Sequence, residues 1–342
     1  MNFLIDKDSK VPYYKQLIDS ILQQMKDGNI SEGDYLPSMN DLSATLSISK
    51  ETVKKTYSIL REKGIIESVQ GKGFYVKQND IAGKLKILML FDKLSSYKLV
   101  LYRSFVTNIG DNVDITIHTS NQDINLFETL LDENLDKYDY YLITPHFPPD
   151  ADTQQHVLRL LRKIPNRKLI ILDRNIEMLK GNYGSVYQDF EHDGYTGLMQ
   201  GIEILEKYRT LHIFCSPNSM YGHITQKGII KFCEKTGKIY QIHTVMREQD
   251  IIPGDLYIIL NSQLDDEVID FIQTVRTKHI EIGKEIGIIS YNESPINEII
   301  MNGLTVISTD FKEMGCIAAE MIKTRRLRKV KNKFSLIVRT TA

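Results

Sequence analysis

The chain has 342 residues, with 43 Lys and Arg against 44 Asp and Glu, three cysteines and no tryptophan. An apolar share of 42% with 25% charged residues excludes wholesale disorder and fibrous classes, and the length suits about two domains. The start, Met1 to Asp8, lacks the apolar core of a secretory signal, and no apolar run approaches the ~18 residues of a membrane span. Cys215, Cys233 and Cys316 have no paired spacing, so neither a disulfide framework nor a zinc site is expected. A cytoplasmic protein with no cofactor, no metal and no membrane partner follows. The formal net charge of −1 argues at face value against a nucleic-acid partner. That average hides an asymmetry: residues 1–49 carry four lysines against seven acids, whereas residues 50–77 carry seven basic residues against three glutamates.

From Pro12, apolar residues at Tyr14, Leu17, Ile18, Ile21, Leu22 and Met25 have the spacing of an amphipathic helix that Gly28 stops. Ser38, with Asp41 three residues on, caps a short second helix over 39–46. Ser49 caps a third, with Val53, Tyr57 and Leu60 as its buried stripe, and Gly64 ends it. Two strands follow, Ile65–Val69 and Phe74–Lys77, around the turn Gln70-Gly71-Lys72-Gly73. Three helices and a glycine-tipped hairpin make an α+β winged helix-turn-helix domain over residues 1–77.

Residues 78–83 read as a polar linker. Beyond them, apolar runs alternate with helical stretches. The runs are Leu85–Phe91, Val113–His118, Tyr140–Thr144, Leu169–Leu172, Leu211–Cys215, Ile239–Val245, Leu256–Leu260, Glu285–Ser290 and Leu304–Ile307. The helical stretches are Tyr97–Ile109, Asp152–Lys163, Gly194–Tyr208, Tyr221–Lys235, Leu264–Lys278 and Lys312–Lys323. This is a doubly wound α/β pattern, and nine strands suit two lobes better than one sheet. We expect a two-lobed domain over 84–342, with lobe 1 at 84–185 and 311–327 and lobe 2 at 186–310 and 328–342.

A recognition helix presents short polar side chains at its N-terminal end, where it enters the major groove. Ser49, Lys50, Thr52, Lys54 and Lys55 supply them, and Gln70, Gly71, Lys72 and Gly73 bring a lysine and bare backbone to the wing tip. With Ser38 and Asn40 these are the expected DNA contacts. The segments Pro12–Leu17, Gly33–Ser38, Asp41–Ser43, Ile48–Val53, Tyr57–Leu60, Gly64–Glu67 and Gly71–Val76 resemble the GntR family of bacterial transcription regulators. The family's Glu-Arg after Leu-Pro-Ser is here Met39-Asn40, and two of its recognition-helix arginines fall on Lys50 and Lys54. Lysine holds phosphate but lacks the planar fork that reads guanine, so the resemblance implies DNA binding without implying base preference.

Polar residues at the carboxyl ends of the body's strands are the expected ligand contacts. They include Asp92, Lys93, Tyr97, His146, Asp173, Arg174, Tyr221, Asn261, Tyr291, Asn292 and Thr309. Carboxylates, amides and an arginine among tyrosines suit sugar hydroxyls and an aromatic platform. Ile170–Arg174, Val186–Asp189 with Gly194-Tyr195, Ile288–Glu293 and Leu304–Glu320 are similar to the LacI/GalR-type effector module, itself similar to periplasmic sugar-binding proteins. The resemblance implies that Asp173-Arg174 and Asn261 face a ligand. Three positions depart: an acid is replaced by Asn292, an arginine by Thr225 and a glutamine by Thr309. These departures admit an unusual, deoxy or phosphorylated sugar.

No GxGxxG, GxxxxGK[ST], GxSxG or HExxH motif is present, and the eight histidines have no ligand spacing, so no catalytic residue and no enzyme activity is expected. The basic run Lys323–Lys333 reads as a solvated helix end. The head and body together imply a homodimeric repressor of a carbohydrate-utilisation operon, binding a pseudopalindromic operator under control of a small-molecule effector, a sugar. The head-to-body fusion resembles regulators of arabinose and fucose use, and the Ser-Met-Asn and Gly-Lys-Gly-Phe-Tyr-Val segments look like Bacteroidetes members. Two other readings stay open: a sugar-binding or sugar-modifying protein whose head is a dimerisation or partner module, and a regulator sensing a non-sugar metabolite.

Overall fold

The structure is a computed structural model that describes residues 3–6, 11–77, 84–217, 219–245, 247–260 and 266–342. The expected linker 78–83 and Asn261 lie outside the described residues. The chain divides into two compact units, Met1–Leu85 and Lys86–Ala342.

In the first unit, α1 (Tyr13–Lys26), α2 (Met39–Leu46) and α3 (Lys50–Glu62) precede the hairpin β1 (Ile66–Val69) and β2 (Gly73–Val76). Helix α1 follows Pro12 and closes at Gly28, whose φ of 73° needs a residue without a Cβ. Ser38 and Ser49 accept the backbone N–H of Asp41 and Thr52, as N-caps do. Leu17, Ile21, Val53, Leu60 and Val76 are fully buried and form one core.

The second unit starts with β3 (Leu85–Phe91), α4 (Ser96–Ile109), β4 (Val113–Thr119), α5 (Ile124–Asn134), β5 (Tyr140–Ile143), α6 (Ala151–Leu161), β6 (Leu169–Arg174) and β7 (Gly184–Gln188). It continues through α7 (Phe190–Met199), α8 (Ile202–Leu205), β8 (Thr210–Phe214), α9 (Gly222–Thr236), β9 (Ile239–His243), β10 (Leu256–Ile259), α10 (Asp266–Thr277), β11 (Gly287–Tyr291) and β12 (Thr305–Thr309). The last elements are α11 (Phe311–Thr324), β13 (Lys329–Lys331) and β14 (Phe334–Ile337). They form two six-stranded sheets, ordered β13-β7-β6-β5-β3-β4 and β14-β12-β11-β10-β8-β9. Parallel pairing runs from β13 to β3 in the first and from β9 to β12 in the second, and β14 closes the second sheet antiparallel.

Strand pairing moves two of the three expected lobe boundaries. Val186 pairs with Leu172 and Val330 with Val186, so residues 186–188 and 329–331 belong to lobe 1. The chain therefore passes between lobes at Gln188–Asp189, at Asp310 and at Asn332. These crossovers lie side by side: Asn332 N–H donates to Tyr187 O at 2.8 Å and Asp310 N–H to Lys333 O at 2.9 Å. The basic run is therefore a helix end only at its start: its basic side chains are exposed, but residues 329–331 form β13. Lys329 lies 4.1 Å from the centre of the Tyr183 ring and Lys331 pairs with the buried Asp193 at 3.0 Å.

Helices α7 and α9 pack at near backbone contact. A Cβ on Gly228 would lie 1.9 Å from Glu191 O and 2.8 Å from Tyr195 N, and one on Gly194 would lie 2.5 Å from Thr225 O. Gly228→Ala must push the helices apart, and a loss of about 3 kcal/mol is expected. A urea melt should show a lower midpoint at unchanged slope.

Candidate DNA interface and effector cleft

In the head, the packing of α3 decides what it presents. Val53, Thr56, Tyr57 and Leu60 turn inward, and Lys50, Lys54 and Lys55 are left exposed on the other side. The Tyr57 hydroxyl donates to Pro37 O at 2.7 Å and its ring meets Phe74 at 4.8 Å, so one side chain fixes the recognition helix to the turn before α2 and to the wing. Thr52 Oγ1 lies 2.8 Å from Ser49 Oγ at the helix start. Lys55 Nζ rests 3.9 Å above the Tyr14 ring, and Lys54 has only an exposed 3.8 Å pairing with Glu51. Gly71 and Gly73, with φ of 78° and 100°, form the tip that carries Lys72. Of the eleven residues expected to meet DNA, ten are exposed and Thr52 is half-buried. Their arrangement puts hydroxyls, lysines and a helix N-terminus on the outer surface of the unit, groups suited to phosphates and groove edges.

In the body, the carboxyl ends of the lobe 1 strands build a charged wall. Asp92 directly follows β3, and its carboxylate pairs with Lys98, whose side chain is wholly buried. Thr144 Oγ1 donates to the same carboxylate at 2.9 Å. Beside this pair, Asp173 at the end of β6 lies 3.1 Å from His146 Nε2, within ion-pair reach though misaligned for a hydrogen bond, and receives Gln188 Nε2. Burial pushes both carboxyls up. The charges of His146 and Lys98, with the hydrogen bonds to each carboxylate, outweigh it and hold both below the ordinary range. For Lys98, burial pulls the pKa down but Asp92 more than restores it. Arg174 donates to Pro145 O at 3.3 Å and Gln154 Oε1 at 2.8 Å, and burial lowers its pKa.

Lobe 2 faces this wall with aromatic and amide groups. Tyr221 stacks on Phe190 at 5.2 Å, the Arg174 guanidinium lies 5.0 Å from its centre, and its hydroxyl donates across to Phe147 O at 2.7 Å. The buried Tyr291 donates to Gln188 Oε1 at 3.2 Å. Asp173 and Asn292 hold φ of 72° and 68°, left-handed values costly for a residue with a Cβ and concentrated at functional sites. Ser95 Oγ, His146 Nε2, Thr225 Oγ1 and Asn292 Oδ1 are buried without a hydrogen-bond partner, and all four belong to strand-end loops or a first helical turn around the cleft. Among the described residues, no cluster of three or more His, Cys, Asp or Glu suits a metal ion.

His146, Asp173, Arg174, Tyr221 and, through Gln188, Tyr291 are thus brought together. Tyr97 is buried beside them against Phe311 at 4.7 Å. Lys93 is not: it is exposed, and Lys98 one helical turn on takes the place beside Asp92. Thr309 is held at the crossovers, donating to Lys333 O and accepting from Asn332 Nδ2 at 2.8 Å. Sequence reasoning passed over Lys98, Gln188 and Phe190. A signal for Lys98 existed: it interrupts the apolar face of α4 six residues after an acid that follows a strand.

Residues 13–76 match the model of the bacterial regulatory proteins of the gntR family. The HTH-type transcriptional repressor YtrA of Bacillus subtilis is 36% identical over 75 residues, 22% of this chain and 58% of that protein. The mannosyl-D-glycerate transport/metabolism system repressor MngR of Escherichia coli is 35% identical over 82 residues, 24% of this chain and 34% of its own length. The chain therefore spans only about a third to three fifths of these curated relatives. The body is similar in structure to a LacI family transcriptional regulator from Lactobacillus casei with bound sucrose, at a TM-score of 0.58 and 12% identity over 75% of this chain and 99% of that one. A dimeric Lac repressor gives 0.60 and 14% over 75% and 98%. The head is a GntR-type winged helix-turn-helix domain. The rest of the chain has the two-sheet fold of LacI-like effector domains. Among the described residues no helix is long and apolar enough to cross a membrane.

Proposed function

We propose that the chain is a cytoplasmic, non-enzymatic transcription regulator, a homodimer that represses a carbohydrate-utilisation operon and is switched by a sugar between the lobes of its body. The observation that carries this reading is the coexistence in one chain of two polar surfaces. One is the exposed hydroxyl and lysine face of α3 with its wing. The other is a cleft around which four buried polar atoms make no hydrogen bond. Ser38, Asn40, Ser49, Lys50, Thr52, Lys54 and Lys55 meet the operator with the wing tip Gln70–Gly73, and Lys72 approaches adjacent phosphates. In the cleft, Asp92 and Asp173 accept sugar hydroxyls, His146, Arg174 and Asn292 add hydrogen bonds, and Phe190 and Tyr221 offer a ring face.

Repressor relatives, one of a mannosyl-D-glycerate system, and a sucrose-bound neighbour of the body support repression and a sugar. The sugar acts only through unequal affinity for two lobe angles. Thermal shift against pentoses, hexoses, deoxy sugars and their phosphates tests the effector. A binder at 100 times its Kd raises stability by about 2.7 kcal/mol. The same compound should release a salt-dependent operator complex in a mobility-shift assay. A melting curve moved by none of these compounds, or by a nucleotide or amino acid instead, refutes the sugar.

A further inference from the structure

We propose that Gln188 is the positioning residue that ties the angle between the lobes to the ligand-facing wall of the cleft. This rests on the reading of that cleft as the effector site. Gln188 ends β7, where the chain first leaves lobe 1, and it is buried. Its amide is used from both ends. Nε2 donates to the Asp173 carboxylate in lobe 1, and Oε1 accepts from the Tyr291 hydroxyl at the end of β11 in lobe 2.

The chemistry allows one orientation. An ionised carboxylate only accepts, so it takes the NH₂ end, and the tyrosine, buried and protonated, donates to the oxygen. Turning the amide over would set oxygen against carboxylate and nitrogen against a donor. Asp173 in turn lies within ion-pair reach, 3.1 Å, of His146 Nε2, a buried nitrogen that makes no hydrogen bond within the protein. A continuous path therefore runs from His146 through Asp173 and Gln188 to Tyr291, from the binding wall of one lobe to a strand end of the other. A sugar hydroxyl that engages His146 or Asp173 changes what Gln188 meets, and Gln188 passes the change across the crossover. Two other bridges between lobes, Tyr221 to Phe147 O and Lys331 to Asp193, leave Asp173 untouched. They hold the lobes together without passing through the Asp173 carboxylate.

The test uses the full chain with Cys316→Ser and dyes at Lys137→Cys in lobe 1 and Glu234→Cys in lobe 2, all exposed positions. Interlobe energy transfer is compared for the parent, Gln188→Met and Tyr291→Phe. The latter removes one hydroxyl and keeps the ring, so it guards against misfolding. Without sugar, both variants should broaden the distance distribution. The probes D-glucose, sucrose, L-arabinose and L-fucose are then titrated. For any sugar that binds the parent, Gln188→Met should keep its affinity within about threefold. The sugar concentration that releases operator should rise about tenfold, the worth of one lost hydrogen bond. Distributions and release like the parent's overturn the proposal and leave the sensor reading intact. Equal loss of binding and release makes Gln188 part of the binding wall alone and also overturns it. If no probe binds the parent, the sugar reading falls for these probes, and the sugar-free distributions still decide the latch.

Discussion

Lys98→Ala is expected to lower stability by about 3–5 kcal/mol, because it strands a buried carboxylate. Lys98 and Asp92 are both almost without solvent contact. The ion pair itself contributes less than this figure suggests, since bringing both charges out of water consumes much of their attraction. What costs is breaking one half. Hence Lys98→Met combined with Asp92→Leu should recover most of the loss, and equilibrium urea melts of the three proteins separate the two statements. The pH dependence has a defined sign. The folded-state pKa of Asp92 and of Asp173 is depressed, so each contributes stability above its unfolded value of about 3.9 and loses it as the pH falls through the folded one. In Lys98→Ala a charge that lowers Asp92 is gone and burial still raises it, so its carboxyl protonates sooner. The gap between parent and variant should therefore be widest near neutrality and close below about pH 4. A gap independent of pH would mean that lost packing of the lysine stem, not the stranded charge, sets the cost.

Replacing Lys50, Lys54 and Lys72 together by alanine is expected to abolish operator binding at physiological salt while sparing the cleft. Each phosphate contact releases condensed counterions, worth about 0.9 in the slope of log affinity against log salt. Two heads losing three contacts each should flatten that slope by about 5. All three side chains are exposed, so the melting curve should move by less than about 0.5 kcal/mol. Thermal shift by sugars should be unchanged. If the head were only a dimerisation or partner module, the triple variant would leave any DNA affinity and its salt slope as they were. The same experiment resolves the paradox of a chain whose overall charge is −1: the positive charge that matters is local to α3 and the wing.

The head was almost wholly legible because its signals are local. Ser38 and Ser49 cap, Gly28 and Gly64 stop, and Gly71 and Gly73 turn, each acting within a few residues of itself. In the body, strands buried on both faces were equally plain, as in the run Leu169–Leu172. Strand β13 was not, for Lys329-Val330-Lys331 has one apolar residue; only its partner β7 and the contacts with Tyr183 and Asp193 make it a strand. The expected helix over Gly194–Tyr208 proved to be α7 and α8, with Gly201 between them tucked against Leu336, a residue 135 positions away in sequence. The site divides along the same line. Asp173, Arg174 and Tyr221 could be placed from strand ends, but the choice of Lys98 over Lys93 depends on which face of α4 meets β3, and Gln188 depends on a crossover that sequence placed three residues early.

The three crossovers, bonded edge to edge through Asn332, have a mechanical meaning. Three chains abreast behave as a flat ribbon, compliant to bending about one axis in its plane and stiff against twisting or shear. Whatever opens or closes this body is thereby reduced to a single rotation. A binding event of modest energy is not scattered over many soft directions, and its whole displacement is delivered along one arc.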